Sequence, residues 1–410
     1  MTSNECKQVL IAGGGIGGLA AALACARQGL AVQLIERADR FSEVGAGIQL
    51  GPNAVRVLHD WGLADALTAC AAFPESLQVR DAHSSATLGQ LRLGAMAQAR
   101  YGKPYATIHR ADLHGLLLNA LREQPLATIA LDAHVSSYEE SPLGITVHCE
   151  DDRVFEGVAL VGADGLWSRV RLQLLGAQPV RASGHLAYRG LVDPARLPPA
   201  LRRPVVTAWL GPRLHVVHYP VRRGEIFNLV AVVEGVIGQG HGGHVDSDPQ
   251  SWTHEAHAAD LKRTLGPACA DLMAMIDAAQ EWKLWALNDR PPVAGADEHA
   301  RGRVALLGDA AHPLRPYLAQ GAAMAIEDAW TLGQLRSATL GDIDWSALFG
   351  RYARTRWARN ARVQARSERN GRIFHADGLV RLGRNAAMAM LGESLLDQAW
   401  LYSGPPPLAD

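Results

Sequence analysis

The sequence predicts an α/β protein in which one domain starts at the N-terminus, is interrupted by a β-rich insert, and resumes before a C-terminal run of helices. Three observations predict it. The first forty residues read strand, glycine turn, helix, strand: 8–12, 13–18, 19–28 and 31–36. From about Thr146 the apolar period falls to two, and short Val- and Leu-rich segments recur at 145–149, 157–162, 205–210, 214–221 and 226–234. A strand at 304–307 and a helix over 321–335 then restore α/β character, with helices continuing from 345 to about 400.

Local signals support each element. Gly29 stands where a helix ends, and Val32, Leu34 and Ile35 resume a buried strand. Pro52 can open a short helix that ends near Gly62. Leu113, Leu116, Leu117 and Leu121 repeat at helical spacing over 109–122. Arg222-Arg223-Gly224-Glu225 joins two strands as a hairpin. The boundaries that follow are 1–72, 100–175 and 285–345 for the interrupted domain, 73–99 and 176–284 for the β-rich insert, and 346–410 for the C-terminal helices.

Composition excludes several function classes. Apolar residues make up 48% and charged residues 20%, which suits a large core under an ordinary surface. With 40 basic and 41 acidic residues, no global field draws nucleic acid or an anionic membrane. Five scattered cysteines without a CxxC pair argue against a disulfide framework and against a structural zinc site. Neither a leader segment nor an apolar run of about 20 residues is evident, so a cytoplasmic protein is expected. His241, His244, Asp246 and Asp248 lack a regular scaffold, and no metal site is expected. Eight arginines against Glu368 over 351–372 read as a solvated helix with some interdomain pairing. The pattern over 379–401 suits core cover, a dimer face or membrane contact, and a monomer or homodimer is expected.

Gly13-Gly14-Gly15-Ile16-Gly17-Gly18 fits G-x-G-x-x-G. Gly13 permits the tight turn, Gly15 lets backbone approach a pyrophosphate, and Gly18 lets the helix lie close to the sheet. The helix N-terminus offers free N–H groups to phosphate, and Glu36, closing the second strand, can accept ribose hydroxyls. Spacing alone is weak: Gly238-Gln239-Gly240-His241-Gly242-Gly243 fits too, yet loop composition follows it. The N-terminal copy, with strand, helix, second strand and acid in order, marks a Rossmann-type dinucleotide site and leaves NAD against FAD open.

Two further segments carry a family resemblance. Gly162-Ala163-Asp164-Gly165, followed by Ser168 and Arg171, resembles the "DG" motif of the group A flavoprotein aromatic hydroxylases. Gly308-Asp309-Ala310-Ala311-His312-Pro313 resembles their "GD" motif. The stretch 317–329, Tyr188-Arg189-Gly190 and the segment from Trp285 to Arg290 are similar to the salicylate, 3-hydroxybenzoate and 6-hydroxynicotinate branch. The resemblance covers roughly 8–375 and implies a para-hydroxybenzoate hydroxylase-like fold.

It implies FAD as cofactor, NADH or NADPH as transient reductant, O2 as co-substrate, a flavin C4a-hydroperoxide as oxygen donor, and a small aromatic or heteroaromatic acid as substrate. Implied FAD contacts are Gly13, Gly15, Ile16, Gly17, Gly18, Glu36, Arg37, Gly47, Arg110, Val135, Asp164, Asp309, Pro316, Gly321 and Ala322. Asp309 would bond the FAD ribose, and Arg110 would lie by the ribityl chain. The bland alternative for Asp164 and Asp309 is a turn aspartate capping nearby backbone. Implied catalytic residues are His215, as a base of near-neutral pKa, and Tyr219, on one strand face over a small pocket. Relatives carry a glutamine that aligns at Pro316 or a histidine that aligns at Tyr317, so Tyr317 would replace a polar catalytic contact. Arg315 and Arg213 are candidate carboxylate partners. A flavoprotein oxidase or dehydrogenase, or a non-catalytic FAD-binding protein, remains the rival reading.

Overall fold

A computed structural model of the chain describes residues 8–41, 46–236, 254–339 and 341–408. The second glycine-rich run at 238–243, and with it His241, His244, Asp246 and Asp248, lies outside them.

The N-terminal unit forms as its sequence requires. Gln8–Ala12 is fully apolar from Val9 on and pairs in parallel with Ala31–Ile35 on one side and Ala159–Gly162 on the other. Burial on both faces is what such an uninterrupted apolar run serves. The sheet has six strands, in the order Ala300–Arg301, Val304–Leu306, Ala159–Gly162, Gln8–Ala12, Ala31–Ile35, Ala127–Ala130. Two helices press on it. Ile16–Ala26 is almost wholly small and apolar, so Gly321–Ser337 can lie close against it; a Cβ at Gly333 would sit 3.3 Å from that of Ala24. The first helix opens at Ile16, three residues before the expected 19, because Gly17 and Gly18 already belong to its first turn.

The β-rich block is not one sheet. Ile145–Cys149 belongs to a three-stranded antiparallel meander with Val135–Glu140 and Val154–Gly157, whereas Ala159–Gly162 enters the parallel sheet. Short apolar runs look alike whether they end in one sheet or another. The larger sheet has eight strands: His254–Ala256, Trp282–Asp289, Arg181–Val192, Ile226–Glu234, Leu214–Val221, Val205–Gly211, Ser76–Asp81 and Thr87–Arg92. A boundary at 285 would fall inside the strand Trp282–Asp289, which pairs along Arg181–Val192. One face of this sheet packs on Ala258–Leu265 and Ala270–Ala278 through Trp209, Phe227, Leu229, Leu272 and Ile276. The other faces the first sheet and its helices.

The expected hairpin forms at Arg222–Gly224, and Arg222 grips Asp112 of the helix Arg110–Arg122 through Nε and a terminal nitrogen at 2.9 and 3.0 Å. The C-terminal helices are Trp345–Phe374, Gly378–Leu391, Glu393–Leu396 and Ala399–Tyr402. Gly378–Leu391 covers the strand Thr87–Arg92 through Met388 and leaves Leu379, Val380, Leu382 and Met390 exposed. Among the described residues no helix is long and apolar enough to cross a membrane.

Candidate active site

The glycine turn is built around forbidden and open space. Gly13 holds φ +102° and donates its N–H to Ile35 O at 2.8 Å. A Cβ at Gly18 would lie 1.7 Å from Gly13 O, so the helix start closes on the turn only without a side chain there. Gly15 is the opposite case: it is the N-cap, its φ of −71° is ordinary, and no protein atom lies within 4 Å of where its Cβ would be. That clearance, beside the free N–H groups of a helix that has no side-chain cap, suits a pyrophosphate. Ile16 is buried under the turn, and Gly17 packs toward Leu307 and Ala325.

Glu36 has a structural task in the fold. Its Oε2 accepts the Gly14 N–H at 2.5 Å and its Oε1 the Ala38 N–H at 2.8 Å, so it locks the turn to the second strand. Arg37 beside it is exposed. Val135 is buried at the start of its strand, beside a bulge and packed in the cluster that holds Ala12 and Ile35.

Asp164 sits over the turn, its Cα 2.9 Å from where a Gly13 Cβ would be. Its carboxylate accepts Ser168 Oγ–H at 2.5 Å and the N–H groups of Arg169 and Val170 at 2.7 and 3.2 Å. It therefore caps the helix Arg169–Leu175, which is the bland alternative made real. Asp309 makes no such cap. It is exposed, the protein crowded around it pushes its carboxyl up, and His312 and Arg110 pull it back. Arg110 opens its helix as expected, with its N–H on Ala46 O at 2.7 Å, and its charge is felt at both Asp309 and Arg189.

Pro316 and Tyr317 form a 3-10 turn, Ala319 takes φ +51°, and Gln320 caps the helix that begins with Gly321 and Ala322. This N-terminus is fastened from behind. Asn53 donates to Gln320 Oε1 at 3.1 Å and to Glu327 Oε1 at 2.7 Å. Glu327 and Asp328, both fully buried, meet the fully buried Arg356 at 2.9 and 2.7 Å, and Arg359 also holds Glu327. Arg356 and Arg359 are thus structural: the helix Trp345–Phe374 does pair with its neighbours as expected, but Arg356 is internal where a solvated helix was expected.

The strand Leu214–Val221 alternates as expected. His218 points to the helix-packed face, where its Nδ1 accepts the Trp209 indole N–H at 3.1 Å. His215, Val217 and Tyr219 share the other face. Register extends that face across three strands: Tyr219 lies beside Asn228 and Leu191, Val217 beside Val230 and Arg189, His215 beside Val232 and Ala187, with His185 beside Glu234. His215 and Tyr219 are four residues apart, or about 13 Å along a strand, so they are opposite ends of one floor and not a contacting pair.

The Tyr219 end meets the strand Gly47–Leu50. Gly47 donates its N–H to Asn228 Oδ1 at 2.6 Å, and a Cβ at Gly47 would lie 2.6 Å from the Tyr219 ring. Burial raises the Tyr219 phenol, while Arg189 and a hydrogen bond with Gln49 pull it back. Arg189 is the residue that sequence reasoning missed here. Its guanidinium lies 3.5 Å over the Trp285 ring, its Nε is buried without a hydrogen-bond partner, and burial pushes it down to about 9. The two arginines singled out instead are otherwise engaged: Arg315 Nε donates to the buried Asp289 at 2.6 Å, and Arg213 is exposed.

The His215 end is a cluster of rings. His215 Nδ1 lies 2.9 Å from His375 Nε2, Tyr317 OH bonds His185 Nδ1, and the ring of Tyr317 is 5.4 Å from that of His215. Burial, with His185 adding, drives His215 down to about 3, so the near-neutral pKa expected of a base is absent from the protein by itself. Burial likewise raises Tyr317. His185, His375 and Glu234 were not foreseen. His375 lies 160 residues from His215, and no local pattern links them.

A glycine turn with an uncapped helix N-terminus and an acid closing the second strand, beside a separate β-rich sheet, is the arrangement of a dinucleotide-binding fold. A family model described as "FAD binding domain" matches residues 7–367. The chain is 38% identical over 378 residues, 92% of its length and 90% of the relative's, to a 3-hydroxybenzoate 6-hydroxylase of Polaromonas naphthalenivorans (strain CJ2). It is 39% identical over 401 residues, 98% of its length and 96% of the relative's, to a 3-amino-4-hydroxybenzoate 2-monooxygenase of Streptomyces platensis. A crystal structure of Klebsiella pneumoniae HpxO complexed with FAD and uric acid superposes with TM-score 0.83 at 26% identity, over 97% of both chains. The chain belongs to the FAD binding domain family, within its aromatic-ring hydroxylases, and FAD is its cofactor.

Proposed function

We propose that the protein hydroxylates a small aromatic acid that already carries a ring hydroxyl, using NAD(P)H and O2. The observation that carries this reading is the sheet face, with Arg189 level with Val217 in its middle, an apolar floor beside it, and a histidine at one end. FAD, when bound, would carry the reducing equivalents from NAD(P)H to O2 and so activate the oxygen. The chain supplies placement and proton control. On this reading 176–284, extended through the strand Trp282–Asp289, and 73–99 carry the substrate, and the rest of the first 345 residues carries FAD.

The substrate ring lies over the partly exposed Val217 and Val230, its carboxylate toward Arg189 and its hydroxyl toward His215. Arg189 has a buried donor without a partner, so a carboxylate there satisfies both its hydrogen bonding and its charge. His215 takes the phenolic proton as the ring becomes electron-rich. Burial opposes an isolated imidazolium at His215, but the phenolate formed beside it is the counter-charge that raises its pKa. Tyr219, with its phenol held protonated, donates to the substrate, and Tyr317 fixes the ring edge near His215. The FAD contacts proposed are those inferred from the motifs, with Asp164 also holding its helix.

Two variants test this. His215→Ala should slow product formation by about 100-fold while flavin reduction by NADH in the presence of substrate stays near wild type. Equal losses in both steps would remove His215 as the base. Arg189→Met should raise the KM of the acid by about 10- to 100-fold, as loss of a charged hydrogen bond does, with FAD content unchanged. An unaltered KM would place the carboxylate elsewhere. A panel of hydroxybenzoates, aminohydroxybenzoates and hydroxypyridine carboxylates, followed by NADH consumption and product mass, identifies the ring.

A further inference from the structure

We propose that His185, Glu234 and His375 form a binding site for a divalent cation of the zinc class, and that an ion there switches off His215. His185 and Glu234 are register partners on neighbouring strands, so both side chains leave the same sheet face. His375 reaches them from the end of the helix Trp345–Phe374. One ligand atom from each of the three lies within 4.8 Å of the others. The second observation is His375 itself. It is 94% buried by its relative exposure of 6%, its Nδ1 has no hydrogen-bond partner, and that atom points at Glu234 Oε1 from 3.9 Å.

Two imidazoles and a carboxylate are the protein ligands of many three-point zinc sites, with water at the fourth position. Bonds of about 2.0–2.1 Å in a tetrahedron require the ligand atoms, now within 4.8 Å of one another, to close up by at most about 1.5 Å, and the exposed Glu234 side chain can move toward the histidines. A ligating histidine is normally oriented through its other nitrogen. His375 has that support already, from His215 Nδ1 at 2.9 Å.

The same hydrogen bond transmits the consequence. With a cation on His375 Nδ1, the ring keeps its proton on Nε2 and donates it to His215 Nδ1. Neutral His215 then carries its own proton on Nε2 and has no lone pair left for a phenol. The inhibitory half of the proposal rests on His215 being the base; cation binding does not.

The test uses the FAD-loaded protein, freed of metal by dialysis against a chelator. Calorimetric titration with Zn2+ should show one ion per chain, and Co2+ should give visible bands beyond the flavin absorption. Glu234→Gln and His375→Gln, each checked for bound FAD, should weaken Zn2+ at least about tenfold. Absence of stoichiometric binding, or binding unchanged in both variants, overturns the site. Zn2+ should also lower product formation, and in Glu234→Gln the concentration needed to halve that variant's own rate should rise by the same factor as its affinity falls. Tight binding without inhibition overturns the switch and leaves the site. The His215→Ala comparison of product formation with flavin reduction is independent of metal, so it separates failure of the base from failure of the site.

Discussion

Gly15 and Gly18 stand three residues apart in one turn and answer to different demands. Gly18 is required by the protein, since its Cβ would collide with Gly13 O. Gly15 is not required by the protein, since its Cβ would meet nothing, and the proposed pyrophosphate site is what would need it. Gly18→Ala should therefore lower the melting temperature of the FAD-free protein sharply. Gly15→Ala should leave it unchanged or slightly raised, because the backbone there is ordinary and alanine restricts the unfolded chain, yet FAD affinity should drop at least tenfold. Thermal unfolding and flavin-fluorescence titration separate the two, and a Gly15→Ala variant that unfolds like Gly18→Ala would refute the distinction. The glycine turn was legible in sequence because a fixed backbone geometry demands fixed residues. Arg189 was not, although it lay in a recognised segment, because nothing local distinguishes an arginine stacked on a distant tryptophan from a solvated one.

The helix Gly321–Ser337 owes its position to the charged network behind it. Replacing Arg356 leaves Glu327 and Asp328 buried; burial would raise both carboxyls, and Arg356 is among the groups holding them down. Arg356→Ala should cost about 3–5 kcal/mol of stability, the usual penalty for stranding a buried charge. Arg354→Ala, on an exposed position two residues away, should cost under about 0.5 kcal/mol. Urea unfolding of the two variants measures the contrast, and similar costs would mean that the network is dispensable. Here the sequence carried an overlooked signal. Phe349, Tyr352, Arg356, Asn360 and Val363 repeat at helical spacing and are all buried, so an arginine on the apolar stripe was marked as internal. Composition alone had averaged it with its exposed neighbours.

Across the whole molecule, the sheets are joined by contacts between residues far apart in sequence, such as Gly47 with Asn228 and Arg222 with Asp112. The α/β class and its β-rich interruption could be read from periodicity. The division of 145–162 between two sheets could not, because pairing partners are a tertiary property. Burial also gives the fold a pH dependence. His218 and His299 are each pushed down to about 3, chiefly by burial. Below their unfolded value of about 6.5, the unfolded chain binds protons that the folded protein refuses. Stability should thus fall as pH drops from 6.5 toward 3, by up to about 1.4 kcal/mol per pH unit for each such histidine. The urea midpoint should be lower at about pH 5.5 than at about pH 7.5, and His218→Gln should reduce the slope. A midpoint that does not move would contradict the burial of neutral histidines.

The central claim is that the FAD site and the sheet face together hydroxylate an aromatic acid. Its most direct measurement is turnover of the FAD-loaded protein with NADH, oxygen-18 gas and the acid panel, with the product mass read alongside NADH consumption. The account predicts that at least one hydroxylated aromatic acid accelerates NADH oxidation and yields a product carrying one oxygen-18 atom, formed in step with NADH loss. NADH oxidation that every acid in the panel leaves unaccelerated, or that yields hydrogen peroxide and unlabelled acid alone, would contradict it.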